Sequence, residues 1–171
     1  AALGTAFTPQ HAALLKRYTE QIYVTFDSDG AGIKAALRAL PMLKAAGLSA
    51  KVVSMKPYKD PDEFIKNLGK DEYEKRIEQA ELGFYFETDV IKSGYDLSDP
   101  EQKTKFHNEL AKKLLLFQQE LERENYLMAV ARRYDIPENS LRKLVIQYGM
   151  KVQTTEEIVR EKEQREQARK K

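Results

Sequence analysis

The sequence predicts an α/β unit, a parallel strand–helix–strand turn, followed by an all-α helical bundle. Three observations predict it. Residues 22–26 and 50–55 are short apolar runs rich in β-branched and aromatic residues, the pattern of buried strands. Between them, residues 31–46 are alanine-rich with Ile33, Leu37 and Leu40 on one helical stripe, and a helical crossover of this kind makes the two strands parallel. Beyond Asp60 the apolar residues recur almost throughout at helical spacing, with short connections, as in a small antiparallel bundle.

In order along the chain, Thr8-Pro9 reads as an N-cap followed by proline at the first helical position, opening a helix to about Tyr18 with Leu14 and Leu15 toward a core. The first strand follows. In the next helix Pro41 removes the hydrogen bond to Leu37 and is expected to kink or end a segment there. Gly47 closes that helix before the second strand. Residues 61–68 and 70–80 are short helices broken at Gly69, and 82–92 is a third. Ser98-x-x-Glu101, with Pro100 in the first turn, has the form of a capping box. Then come three stripes: Phe106, Leu110, Leu114, Phe117; Leu127, Val130, Ala131, Tyr134; and Leu141, Leu144, Val145, Tyr148. Gly149 is expected to end the bundle, and Thr154-x-x-Glu157 to open a charged helical linker or tail. The domain reading is therefore 1–80 for the partial α/β domain, 81–150 for the bundle and 151–171 for the tail.

Composition narrows the chemistry. The 171 residues include no Cys, so there is neither a disulfide framework nor a thiolate zinc site. His11 and His107 are the only imidazoles and stand far apart in sequence, leaving carboxylates to carry any metal chemistry. Net charge is +2, all of it accounted for by the tail, so no bulk basic field argues for nucleic acid. No apolar run is long enough to span a bilayer. The opening, Ala1-Ala2-Leu3-Gly4-Thr5-Ala6-Phe7, has neither initiator Met nor the pattern of a signal peptide, and reads as cut from a longer protein.

The candidate site is the end of the first strand. Phe26-Asp27-Ser28-Asp29-Gly30-Ala31-Gly32 places Asp27 and Asp29 at the carboxyl edge of the sheet, where α/β folds bind ligands. If the backbone is still extended there, both carboxylates share a side, an arrangement suited to a hydrated magnesium ion. Gly30 and Gly32 let the backbone come close to what the metal carries. Because parallel strands end at one edge, the loop Lys59-Asp60-Pro61-Asp62-Glu63 brings a second acidic pair there, roughly 4.8 Å per strand away. The plainer reading makes Asp29 and Asp60 helix caps and Lys56 and Lys59 solvated surface residues. An EF-hand fails because Arg38 stands at its twelfth position, and no P-loop motif is present. A phosphatase with an Asp-x-Asp nucleophile stays open in principle. Residues 129–144 have the outline of a helix-turn-helix, with Arg132, Arg133, Arg142 and Lys143 nearby, a pattern that small bundles also produce.

Leu3-Gly4-Thr5-Ala6-Phe7-Thr8, Tyr23-Val24-Thr25-Phe26-Asp27-Ser28-Asp29-Gly30-Ala31-Gly32 and Lys59-Asp60-Pro61-Asp62-Glu63-Phe64 together resemble the bacterial replicative DNA primases of the DnaG type. They are similar, in order and spacing, to the later half of the TOPRIM domain, and residues 82–148 to the helical subdomain of the RNA polymerase core. The resemblance implies Mg2+ (or Mn2+) held by Asp27 and Asp29, with Asp60 and Asp62 lining the same site. Lys59 and Thr5 are candidate nucleotide contacts. It implies a cytoplasmic, nucleoid-associated bacterial enzyme that makes RNA primers on a single-stranded DNA template from ribonucleoside triphosphates, without a membrane. Ser28 stands where the family usually has Gly. The family's Glu-Gly-x-x-Asp motif, its zinc-binding domain and its helicase-binding domain are expected to lie outside this chain, which leaves the fragment inactive alone, zinc absent and the replicative helicase engaged elsewhere. The alternative is a non-catalytic TOPRIM-derived module that docks a replication partner.

Overall fold

The computed structural model describes residues 6–170. The chain divides into two compact units, Ala1–Asp89 and Val90–Lys171.

In the first unit, α1 (Pro9–Lys16) starts as the sequence predicts, with the Thr8 hydroxyl accepting from His11 N–H at 3.2 Å. His11 returns the favour through Nδ1, which accepts from Thr8 N–H, so an imidazole takes the place of the usual acid in the capping box. Only Ala12 of this helix is buried; Leu14 and Leu15 are exposed, against the expectation that they face a core. Strand β1 (Gln21–Val24) pairs in parallel with β2 (Ser49–Val52), in a register running from Gln21↔Ser49 to Val24↔Val52. Between them α2 (Gly30–Ala45) continues through Pro41 as one helix. Its buried line is Ala36, Leu40 and Leu43, with Ile33 and Leu37 at the margin. The α2 terminus is a Schellman turn: Gly47, at φ +81°, donates to Lys44 C=O, and Leu48 to Leu43 C=O. Leu43 and Leu48 pack with Ala12, and Ile22, Val24 and Ala50 close over them.

Helix α3 (Pro61–Glu78) is broken at Gly69, whose φ of +83° and ψ of 174° are not helical. It holds a second cluster, Val53, Met55 and Phe64, flanked by Tyr58, Tyr73 and Ile77. The sheet has a third strand absent from the sequence reading, β3 (Glu81–Leu82), antiparallel to β2 and giving the order β1-β2-β3. Gly83 then opens α4 (Gly83–Ser93) against the sheet, where a Cβ would lie 2.7 Å from Leu40 Cδ2.

The second unit is all helical. Helix α5 (Pro100–Leu114) is capped by Asp99, which accepts from Glu101 N–H; Ser98 instead bonds Asp96. It buries Phe106, Leu110, Ala111 and Leu114 against α6 (Glu120–Arg133) and α7 (Glu138–Arg169), which bury Leu127, Val130 and Ala131, and Leu141 and Val145. Tyr134 meets Phe106 edge-on at 5.2 Å between ring centres, and Phe117 stacks on Tyr126 at 4.2 Å. Gly149 does not end the bundle; α7 runs through it for 32 residues. The fold is thus a partial α/β sheet followed by a helical bundle. Among the described residues, no helix is long and apolar enough to cross a membrane.

Candidate functional site

The ladder between β1 and β2 extends one bond past the strands, from Val53 N–H to Val24 C=O at 3.0 Å, and the chain after Val24 then turns along the sheet edge. Phe26 anchors this stretch with its ring 5.0 Å from that of Phe86. Asp27 is exposed, and among the described residues its carboxylate takes no hydrogen bond or ion pair. Its backbone lies so tightly on the first turn of α2 that a Cβ on Gly32 would stand 1.9 Å from Asp27 C=O. Gly30, in contrast, has nothing within 4 Å of a notional Cβ and faces open space. Asp29 caps α2, with Oδ1 accepting from Gly32 N–H at 2.7 Å.

The second loop is built in the same way. Tyr58 N–H donates to Met55 C=O at 2.9 Å, and the Tyr58 ring meets Phe64 edge-on. Asp60 caps α3 through Glu63 N–H at 2.9 Å, while Glu63 Oε2 reaches back to Lys59 N–H at 3.0 Å. Asp62 is paired with Lys66 at 2.8 Å, one turn on. This proximity raises the Lys66 pKa, chiefly through that hydrogen bond.

The two loops are joined by Ser28. Its N–H donates to Lys59 C=O at 2.8 Å and its hydroxyl to Tyr58 C=O at 3.0 Å. Both acidic pairs therefore stand on neighbouring loops at one sheet edge. Ser28 was the site residue that sequence reasoning passed over, although a hydroxyl where a flexible turn favours Gly was the available signal.

The donors present are hard carboxylate oxygens, the kind magnesium selects, and it binds through few protein ligands while keeping waters. They do not close a cage. Among the described residues no group of three or more His, Cys, Asp or Glu is placed to hold a metal. Asp29 and Asp60 each commit one oxygen to a cap, and Asp62 commits one to Lys66. Thr5 lies outside the described residues. Elsewhere, Arg142 of the helix-turn-helix outline is held by Glu124 within the bundle, where it does not extend as a reading side chain.

Comparison with known proteins accounts for both units. Residues 1–65 match the family model described as Toprim-like, and residues 84–139 the one described as the DnaB-helicase binding domain of primase. The DNA primase of Clostridium acetobutylicum is 29% identical over 145 residues, covering 85% of this chain and 24% of that protein. That of Aquifex aeolicus is 41% identical over 105 residues, 61% of this chain and 20% of the relative. The chain thus spans about a quarter of the length of these relatives. Among solved structures, the Aquifex aeolicus primase (zinc binding and RNA polymerase domains) is 31% identical with a TM-score of 0.59, covering 82% of this chain and 33% of that one. A DNA primase domain from Pseudomonas aeruginosa gives 25% identity and a TM-score of 0.64, over 85% and 46%. A DnaG primase catalytic domain bound to ssDNA gives 27% and 0.64, over 82% and 45%. The chain matches bacterial DNA primases of the DnaG type across the TOPRIM part and the helical part alike. One expectation is corrected: the stretch matching the helicase-binding domain lies within this chain, at 84–139, and the helical stripes that mark it were read only as bundle packing.

Proposed function

We propose, with the match to bacterial DNA primases as premise, that this chain is part of a primase that synthesises RNA primers on single-stranded DNA by magnesium-dependent nucleotidyl transfer. The observation that carries the reading is the Ser28 tie, which supports convergence of the two acidic loops on one rim. Asp27 and Asp29 would hold the ion, Asp27 with a carboxylate not otherwise committed and Asp29 while it also caps α2. Asp60 and Asp62 line the same rim, Asp62 on release from Lys66, and Lys59 reaches the nucleotide. Magnesium bound there supplies activation of the attacking 3′-hydroxyl and neutralisation of charge on the leaving pyrophosphate. The aspartates position and are not themselves reactants. The isolated chain is expected to be inactive on its own. Residues 84–139 are proposed to dock the DnaB-type helicase.

In the intact primase, Asp27→Asn or Asp29→Asn is expected to cut primer synthesis about a hundredfold or more, as several kcal/mol of charge stabilisation disappear. Asn caps a helix as well as Asp does, so the melting temperature of the Asp29 variant should stay close to wild type. Near-normal synthesis by both variants overturns the assignment. A second reading, a non-catalytic module that docks a replication partner, is favoured by the helical match and by the open donor set. Titration with magnesium or manganese separates the two: shifts of the amide resonances of residues 27–32 at millimolar metal support the polymerase, and their absence supports the module.

A further inference from the structure

We infer that Lys66 is the resident counter-cation of the acidic rim: its ammonium pairs with Asp62, and a divalent ion must displace it before Asp62 can serve as a ligand. The inference rests on the magnesium site proposed above and deepens it by naming what regulates access to its second loop.

The loop that opens α3 carries three carboxylates within four residues, Asp60, Asp62 and Glu63. Two of them bond the backbone: Asp60 Oδ1 accepts from Glu63 N–H at 2.9 Å, and Glu63 Oε2 accepts from Lys59 N–H at 3.0 Å. Pulling either away would undo the start of α3. Asp62 differs. It accepts from Lys66 Nζ at 2.8 Å, and that flexible partner can swing aside without disturbing the helix. Asp62 is therefore the carboxylate of this loop that an ion can recruit.

Lys66 stands one turn on from Asp62, and helical side chains lean toward the N-terminus of their own helix. Its ammonium accordingly lies over the first turn of α3. The hydrogen bond to Asp62, with the charges of Asp62, Asp60 and Glu63 behind it, raises the Lys66 pKa. Three carboxylates thus draw the ammonium to a place that a divalent ion, with twice its charge, would also take. The loop itself is already at the rim, because Ser28 holds it through the carbonyls of Tyr58 and Lys59, so displacing Lys66 is the step that remains. Both partners are largely exposed, Lys66 at 71% and Asp62 at 73%, which makes the pair weak enough for an ion to open. Further along α3, Lys70 and Glu74 form a pair of the same spacing at 3.6 Å, away from the rim.

The test titrates the chain with Mn2+ and follows paramagnetic broadening of the amide resonances of residues 27–32 and 60–66. Lys66→Gln is expected to lower the half-saturating Mn2+ concentration at 60–66 about two- to fivefold, the scale of an exposed ion pair. Lys66→Arg, which keeps the pair, and Lys70→Gln, which breaks the other one, should titrate as wild type. Because Lys66 acts through Asp62, the double variant Asp62→Asn/Lys66→Gln should titrate as Asp62→Asn alone. These side chains are all exposed, so circular dichroism should match wild type throughout. An unchanged or raised half-saturation in Lys66→Gln overturns the proposal and leaves the metal site standing. A shift that persists in the Asp62→Asn background does the same, since it marks a general effect of charge. No broadening at either stretch in the wild-type chain overturns the metal site and this proposal together.

Discussion

Ser28 shows how a single side chain can decide whether two loops form one site. Its hydroxyl and its N–H bond consecutive carbonyls, Tyr58 and Lys59, so that neither loop can drift along the sheet edge without breaking both bonds. Ser28→Ala removes one of the two and is expected to cost about 1 kcal/mol and to speed amide exchange at Ser28 and Lys59. The need for small residues after Asp29 was readable in the sequence, but the atom that imposes it was not: at Gly32 it is the carbonyl of Asp27, five residues back. Gly32→Ala should therefore destabilise by about 3 kcal/mol or more, visible as a lowered melting temperature, whereas Gly30→Ala, with open space around it, should be close to neutral in fold. The acidic pairs were readable as types and spacing; that Asp29 and Asp60 spend an oxygen on capping is a matter of backbone direction, which the sequence left open. His107 gives a pH signature in the second unit. Burial, aided by the charge of Lys103, lowers its pKa below the usual histidine value. The unfolded chain then binds the proton more readily, so this contribution is complete above about pH 6.5 and declines as pH falls from there to the folded pKa. His107→Gln should flatten melting temperature against pH across that window.

At the scale of elements, what the sequence made plain was what periodicity and terminators encode. The βαβ turn, the proline-led starts of α1, α3 and α5, and the glycine end of α2 all follow from local chemistry. What it hid was set by partners distant in sequence. Strand β3 is two residues long, too short for any alternation to show, and exists because β2 offers it an edge. Gly149 looks like a terminator, but its φ is not positive and α7 continues; a Cβ there would meet only Leu115 Cδ2, in ordinary contact at 3.4 Å. The true turn before α7 lacks glycine altogether. Asp135 takes φ +54°, and Ile136 N–H donates back to Ala131 C=O at 2.8 Å, a Schellman closure carried by Asp. Asp tolerates the left-handed region better than other L-residues, and a β-branched side chain tolerates it poorly. Asp135→Val should thus lower stability by about 1–2 kcal/mol, and Asp135→Gly should leave it nearly unchanged, in chemical denaturation of the chain.

For the molecule as a whole, the helical half is where sequence reading and comparison diverged. The stripes that identify a bundle say which faces are inside, and a docking function resides on the faces that are outside, where periodicity carries no sign. The same limit applies to the far half of α7. The helix is about 48 Å long at 1.5 Å per residue, yet its buried residues, Leu141 and Val145, lie in its first three turns. From Lys151 onward every described residue is exposed, and the order there depends on backbone propensity and on pairs such as Glu161 with Arg165 at 3.9 Å. An exposed pair of this kind contributes a few tenths of a kcal/mol, and a helical arm without tertiary packing is marginal even at this length. Two halves of one helix should then behave differently. Amides of 141–148 should exchange only with unfolding of the bundle, while those of 155–169 should exchange orders of magnitude faster through local fraying. Thr155→Pro sharpens the contrast. Thr155 has its hydroxyl on Lys151 C=O at 2.9 Å and no packed neighbour among the core clusters, so proline there costs the arm about 3 kcal/mol of helix without touching the bundle. The expected outcome is an unchanged bundle melting transition with a loss of helical circular dichroism that maps to residues after 151. A drop in the main transition instead would mean that the arm is packed in solution and that its exposed residues have a partner.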